Sequence, residues 1–459
     1  MFLSKDPFSN KIIQEIPFHS TEKQLSIQIK ASEVFPLWKG KSFEQKTALF
    51  KTLAQLLRNN NLEIAIAMTR EMGKPISESK AEIEKCAWTI DWYCKAGNRF
   101  IQDEMIEDMD HASAYIRFEP LGTILGIMPW NFPLWQVFRY AIPTLLAGNV
   151  TILKHAPNVG MSALYMENLF LEAGFPEGVF QTVFASVDDT SALIKSPYIQ
   201  AVSFTGSEKA GRSIASIAGM SLKKCVLELG GSDPFIVLAD ADMEMTIQQA
   251  IKGRLQNNGQ SCIAAKRFII EDTVYDTFLA KLKDAVSKLT IGDPMLAETS
   301  IGPLARNDLK SVLKDQVEKS VRAGASVYYV HPFNDVESNF FSPLILENIP
   351  EDAPARKEEL FGPVFTCYKV SGKTEAIRIA NETGFGLGSS IWSRNISAAE
   401  ELALNIQAGS VFINGITHSD ARLPFGGIKN SGYGRELSMY GMHEFVNIKT
   451  YWIAKSKEN

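Results

Sequence analysis

From residue 113 onward, short β-branched apolar runs alternate with longer helix-period stretches, and this alternation restricts the chain to a layered α/β fold. Residues 113–118 alternate in polarity, 122–128 read as a buried strand, and 149–154 form a β-branched run that stops before Pro157. A helix pattern over 162–172 follows. Then come a strand pattern over 199–204 closed by Thr205-Gly206-Ser207, a helix pattern through Ala218, and a strand over 226–229. Strand-then-helix order of this kind builds a parallel sheet with its working loops at the strand ends, as in nucleotide-binding α/β sheets. A second α/β unit begins near Gly231, with strands over 235–238 and 267–270 and a helix over 243–257 leading to Cys262. Later strands fall over 326–330 and 364–368. Residues 22–100 carry helix periodicity, and 446–452 alternate as an exposed edge strand open to pairing with another subunit.

At 459 residues the chain is long enough for two or three domains. Its net charge of −5 is small and it has no basic tract, which argues against nucleic-acid binding. The first residues lack the basic flank and apolar run of a secretory signal. Every long apolar segment is broken before it reaches spanning length, so no membrane insertion and a cytoplasmic location are expected. Among the five cysteines there is no Cys-x-x-Cys pair, and Cys86 and Cys94 lie roughly two helical turns apart, too far for a disulfide. The six histidines are scattered and form no compact ligand motif, so no metal site is expected.

Chemistry concentrates in a few short segments. Gln256-Asn257-Asn258-Gly259-Gln260-Ser261-Cys262 sets one cysteine among amides and small residues, and Glu228 opens Glu228-Leu229-Gly230-Gly231. A cysteine held beside an electrophile acts as a nucleophile and a carboxylate activates water, yet each residue alone is as well explained by packing or a salt bridge. In Pro129-Trp130-Asn131-Phe132-Pro133 the prolines restrict a turn, and Asn131 carries an amide donor suited to an oxyanion or to a local cap. Gly206 and Ser207 stand between a strand and a helix, where backbone can approach a diphosphate closely, although the segment lacks G-x-G-x-x-G spacing.

Two further segments are Glu359-Leu360-Phe361-Gly362-Pro363 and Pro424-Phe425-Gly426-Gly427-Ile428-Lys429-Asn430-Ser431-Gly432. Together and in this order, the six segments resemble the NAD(P)-dependent aldehyde dehydrogenase family over almost the whole chain. The resemblance implies an aldehyde-dehydrogenase-like α/β fold. Residues 1–99 and 121–230 would form a Rossmann-like cofactor domain, with 431–442 packing back near it. An α/β catalytic domain would span 231–430, and 100–120 with 443–457 would form a small bridging and oligomerisation element. It implies that Cys262 attacks an aldehyde to form a thiohemiacetal, that Asn131 and the Cys262 N–H hold the oxyanion, and that Glu228 activates water against the resulting thioester. For NAD or NADP it implies Lys154 at the adenosine ribose, Ser207 at the pyrophosphate and Glu359 at the nicotinamide ribose. Phe361 would pack beside the cofactor, with Pro129, Trp130, Gly206 and Leu229 bordering it. A homodimer or homotetramer is also implied.

One departure bears on the cofactor. The familiar NAD-preferring pattern has a glutamate three positions after the lysine, and this chain reads Lys154-His155-Ala156-Pro157, which leaves NADP or dual use open. For the substrate, Arg139 and Ser419 resemble carboxylate-binding positions of succinate-semialdehyde dehydrogenases, and Trp135 and Phe425 would line the pocket. A second arginine expected six positions before the nucleophile is Gln256, with Arg254 two residues away. Arg139 is alternatively a structural salt bridge. Succinate semialdehyde is the expected substrate. The alternatives are another small carboxylated, aliphatic or aromatic aldehyde, and a noncatalytic nucleotide-binding scaffold.

Overall fold

In the computed structural model, which describes residues 1–109, 111–330 and 339–454, the alternating segments sort into two large, mostly parallel sheets. The first has six strands in the order Gly432–Tyr433, Lys224–Glu228, Ile199–Thr205, Thr123–Ile127, Val150–Lys154, Phe180–Thr182. Only Gly432–Tyr433 runs antiparallel to its neighbour. Parallel strands covered on both faces need unbroken apolar sequence, and Thr123–Ile127 and Val150–Lys154 are buried at every position. From Thr123–Ile127 the chain builds outward to Phe180–Thr182, then returns to the other side of Thr123–Ile127 with Ile199–Thr205. The loops leaving the carboxyl ends of Thr123–Ile127 and Ile199–Thr205 therefore flank a crevice at the point where strand order reverses, the usual ligand position in such sheets.

Four helices, Thr21–Lys39, Phe43–Asn59, Asn61–Met72 and Ile76–Ala96, share one apolar core with this sheet. In Ile76–Ala96, the buried Ile83, Cys86, Ala87 and Ile90 repeat at helical spacing and turn one face inward. Glu82 on that helix accepts the backbone N–H groups of Leu134 and Trp135 at 2.9 and 2.8 Å, capping the start of helix Trp135–Leu146. Lys74 pairs with the same carboxylate and balances its buried charge.

The second sheet has seven strands, Ser326–Tyr329, Leu344–Glu347, Val364–Val370, Ala265–Glu271, Asp233–Val237, Ser390–Trp392 and Phe412–Ile413, with separate apolar clusters on its two faces. A third, antiparallel sheet places Val446–Ala454 along Ala112–Pro120, with Glu104–Ile106 on the far side. Val446–Ala454 is thus the edge strand expected, and it exposes Ile448, Trp452 and Ile453. All five cysteines are free. Among the described residues no helix is long and apolar enough to cross a membrane.

The helix expected over 243–257 is shorter, Met243–Leu255. Asn257 and Asn258 both adopt left-handed backbone, at φ 60° and 56°, and Gly259 follows at 74°. A Cβ on Gly259 would fall 2.6 Å from the carbonyl carbon of Gly362, so only glycine lets these two loops meet.

Candidate active site

Cys262 lies on the loop between Leu255 and Ala265, and three amide side chains hold that loop in its left-handed path. Asn258 Nδ2 donates to Gly73 O at 3.0 Å and Pro303 O at 2.9 Å, while its Oδ1 accepts from Gly302 N at 2.9 Å. Asn257 Nδ2 donates to Asn131 O at 2.7 Å and Gln260 O at 3.0 Å, and Gln260 Oε1 accepts from Ala305 N at 3.0 Å. The amides that mark this stretch in the sequence are thus its framework, satisfying backbone groups that the irregular path would leave unpaired. Lys266 Nζ donates to the carbonyls of Ser261 and Cys262, both at 2.9 Å, and pairs with Glu359 at 3.1 Å.

Arg254, weighed as a second carboxylate ligand, is structural. It is fully buried and donates to Val364 O at 2.6 Å, Leu360 O at 2.8 Å, Gly259 O at 3.3 Å and also Gly362 O, joining the cysteine loop to the Glu359 loop. Arg254→Met leaves these carbonyls without partners and is expected to cost about 3 kcal/mol, read as a lowered urea midpoint. Arg254→Lys should recover little, because an ammonium lacks the planar fork that reaches several carbonyls at once. Unchanged stability in Arg254→Met would remove this role.

Asn131 Nδ2 donates to Gln260 O at 3.0 Å, which sets its amide beside the cysteine loop. His155 fixes the Asn131 loop from below. Its Nδ1 accepts from Ala156 N–H at 2.9 Å, so Nε2 carries the proton and donates to Pro133 O at 2.9 Å. Burial pushes His155 down to about 4 and keeps it neutral.

A cavity of about 590 Å³ opens beside these loops, and Cys262, Trp135, Arg139, Ser419, Phe425 and Lys85 are among its lining residues. Trp135 Nε1 donates to Ser419 Oγ at 3.0 Å. Lys85 Nζ donates to the same oxygen at 2.8 Å and stands 4.1 Å from the centre of the Trp135 ring. Burial holds the Cys262 thiol up at about 12, against the opposing pull of the Arg139 and Lys266 charges, so the thiol is protonated in this state.

Arg139 and Glu228 depart from their expected settings. Arg139 borders the cavity, but it is buried and ion-paired with Glu436. Its Nη2 donates to Thr205 Oγ1 at 3.3 Å, and its guanidinium lies 4.4 Å from the centre of the Phe425 ring. The salt-bridge alternative describes this geometry. Glu228 is not part of the cavity wall: its Oε1 lies beside Gly426, 2.8 Å from where a Cβ there would sit. Neither of its oxygens has a hydrogen-bond partner among the described residues. Burial first, and the neighbouring Glu436 carboxylate second, hold Glu228 well above the usual carboxylate range, so it is a neutral acid here.

Lys154, Gly206 with Ser207, and Leu229 occupy or directly follow the carboxyl ends of three strands of the first sheet. Lys154 is buried, burial pushes its ammonium down, and it has no ion pair among the described residues. Ser207 caps helix Glu208–Met220, its Oγ accepting from Ala210 N at 3.4 Å. Leu229 packs so closely on Gly211 that a Cβ there would fall 2.5 Å from Leu229 Cδ2. Glu359 Oε1 accepts from Gly231 N at 3.1 Å and from Lys266, leaving Oε2 without a hydrogen bond among the described residues. The Trp130 and Phe361 rings meet edge to face at 5.9 Å. An uncompensated cation, a helix amino terminus and an anchored carboxylate with a free oxygen fit a dinucleotide's ribose and phosphate groups.

A family model described as the aldehyde dehydrogenase family matches residues 2–451. The chain belongs to the aldehyde dehydrogenase family. It is 45% identical over 452 residues to a probable succinate-semialdehyde dehydrogenase [NADP(+)] of Synechocystis, covering 98% of this chain and 99% of that one. It is 42% identical over 450 residues to a succinate semialdehyde dehydrogenase [NAD(P)+] of Escherichia coli, covering 98% and 97%. A solved structure of succinic semialdehyde dehydrogenase from Streptococcus pyogenes in complex with NADP+ is similar at a TM-score of 0.96 and 36% identity, covering 99% and 100%.

Within this aldehyde dehydrogenase, the structure gathers Trp135, Arg139, Ser419 and Phe425 around Cys262, and sets Asn131 against the cysteine loop. Neither Asn131 nor Glu228 is among the residues that line that cavity. Lys85, Glu82, His155 and Lys266 were not singled out from sequence. Each acts through a partner remote in the chain or through backbone carbonyls, and none stands in a motif that marks such a role.

Proposed function

We propose that this aldehyde dehydrogenase oxidises succinate semialdehyde to succinate, with NADP+ as an effective acceptor. The observation that carries the reading is a single cavity that holds the Cys262 thiol together with cationic and hydroxyl groups, Lys85, Arg139 and Ser419. Relatives named for this substrate, over nearly the whole chain, support it. For the cofactor, Lys154 is followed by a 3₁₀ turn, Pro157–Val159, that begins with proline where an acidic side chain would repel a 2′-phosphate.

The Cys262 thiol gives its proton to solvent water, and the thiolate adds to the aldehyde carbon, giving a thiohemiacetal whose oxyanion is held by Asn131 Nδ2 and the Cys262 N–H. Lys154, Ser207 and Glu359 would hold the dinucleotide, with Gly206 permitting close approach and Trp130, Phe361, Leu229 and Pro129 walling the site. The group would supply the hydride acceptor, and loss of hydride from the thiohemiacetal carbon would leave a thioester on Cys262. Glu228, once ionised, takes a proton from the water that attacks that thioester. Its elevated pKa makes it the stronger base when ionised.

The protein is further assigned as a cytoplasmic homo-oligomer, a dimer or dimer of dimers. The free cysteines fit a reducing compartment, and the exposed Ile448 and Trp452, on one face of the edge strand, supply an apolar surface for a second subunit.

A kinetic matrix of succinate semialdehyde and butanal against NADP+ and NAD+ tests the reading. Expected are a kcat/KM at least about tenfold higher for succinate semialdehyde, the scale of one charge-assisted contact, and turnover with NADP+ no slower than with NAD+. Equal kcat/KM for the two aldehydes would sink the substrate assignment.

A further inference from the structure

The charged groups around the cavity differ in what already satisfies them. Glu82 is paired with Lys74 and caps a helix. Glu78 accepts from Asn257 N at 2.7 Å, and burial holds it up at about 7. Arg139 has Glu436. Two lysines of the wall, Lys85 and Lys252, have no ion pair among the described residues. Lys252 is exposed, whereas Lys85 is half-buried against the neutral Ser419 hydroxyl and the face of Trp135.

Ser419 Oγ accepts from two donors at once, Lys85 Nζ at 2.8 Å and Trp135 Nε1 at 3.0 Å. Both lone pairs are then occupied and the hydroxyl hydrogen remains to be donated. Lys85 has two N–H bonds left. Two kinds of donor, one cationic, thus sit side by side in the wall that also presents Cys262, and neither has a carboxylate partner among the described residues. A cation taken out of water without a carboxylate is costly, and an anionic ligand offsets that cost.

We propose that Lys85, together with the Ser419 hydroxyl, binds the carboxylate of the aldehyde substrate and sets the preference for ω-carboxylated aldehydes. Arg139 is then a positioning residue, locked to Glu436, which shapes the field at Cys262. The assignment rests on the succinate semialdehyde reading and names the residue that would enforce it.

The test compares Lys85→Met and Lys85→Arg with the unmodified enzyme, using kcat/KM for succinate semialdehyde and butanal and the inhibition constant for succinate. Lys85→Met should lower the succinate semialdehyde-to-butanal ratio about 30-fold and weaken succinate inhibition in parallel, the scale of a hydrogen-bonded ion pair. Lys85→Arg, which keeps the charge, should hold the ratio within about threefold.

The pH profile of that ratio gives a readout that a packing role would not move. Burial, and then the Arg139 charge, push Lys85 down to about 8, so in the unmodified enzyme the ratio should fall as pH rises through that value. In Lys85→Arg it should stay flat. The charged or titratable groups around Lys85 are Arg139, Glu82, Cys86 and Asp420, with Glu78 on the same helix and in the same cavity wall. Arg139 and Glu82 are ion-paired, Asp420 is bridged to Arg422, and burial holds Cys86 well above its usual range. Glu78, held up at about 7, is retained in Lys85→Arg, so a slope that it caused would persist in that variant. Steps at Cys262 and Glu228 are common to both aldehydes and cancel in the ratio.

Equal losses on both aldehydes in Lys85→Met, or no loss on succinate semialdehyde, would overturn the assignment. If Lys85→Met does not fold, a ratio that is pH-independent in the unmodified enzyme overturns it instead. An unmodified enzyme without preference for succinate semialdehyde overturns the substrate reading itself, and this proposal with it.

Discussion

Cys262→Ala is expected to lower aldehyde-dependent formation of reduced cofactor by on the order of 10⁴-fold, while cofactor affinity stays within about twofold of the unmodified enzyme. The sulfur is the atom that would carry the acyl group, and no other cysteine lines the cavity. Its removal should not disturb the loop. The carbonyls of Ser261 and Cys262 remain tied to Lys266, and the Asn257, Asn258 and Gln260 amides still hold the backbone. Stopped-flow absorbance of the reduced cofactor measures the first quantity and titration calorimetry the second. A folded Cys262→Ala protein that turns over within tenfold of the unmodified enzyme would exclude the covalent route. Loss of cofactor binding along with turnover would instead show that the thiol supports the fold of the site.

The two sheets were legible because their central strands are buried on both faces, which forces runs such as those over 123–127 and 150–154 to be apolar throughout. The loop before Cys262 was less so. No residue in Gln256-Asn257 forbids another helical turn, and the helix stops because Asn258 finds its partners at Gly73, Pro303 and Gly302. Arg139 lines the cavity, but its partner Glu436 lies in another part of the chain, and a basic residue on a helix does not announce which carboxylate will claim it. Lys85 shows the converse limit. It sits between Glu84 and Cys86 in an ordinary helical run, where a lysine reads as solvated surface. Only the fold brings Ser419 within 2.8 Å of it. Motifs marked the segments that carry Cys262, Asn131 and Glu228, and tertiary pairing decided which charges remain available to a ligand.

Glu228→Gln should separate the two halves of the reaction. The first turnover is expected to survive, appearing as a burst of about one reduced cofactor per Cys262, and steady-state turnover should fall on the order of 10²- to 10³-fold because the amide cannot take a proton from water. Rapid mixing of enzyme, cofactor and aldehyde reads both phases in one trace. The pH dependence carries a definite sign. Burial and the Glu436 carboxylate raise the Glu228 carboxyl, so the basic form is scarce at low pH and grows as pH rises through the raised value. Steady-state turnover of the unmodified enzyme should therefore climb with pH across that range, and the residual turnover of Glu228→Gln should lack that climb. Loss of the burst together with the steady state would move Glu228 to the earlier step, as the acceptor of the Cys262 proton. The state of Glu228 beside Gly426 favours the later one: without a hydrogen-bond partner among the described residues and held neutral, it cannot take the Cys262 proton, and it becomes a base only once it ionises.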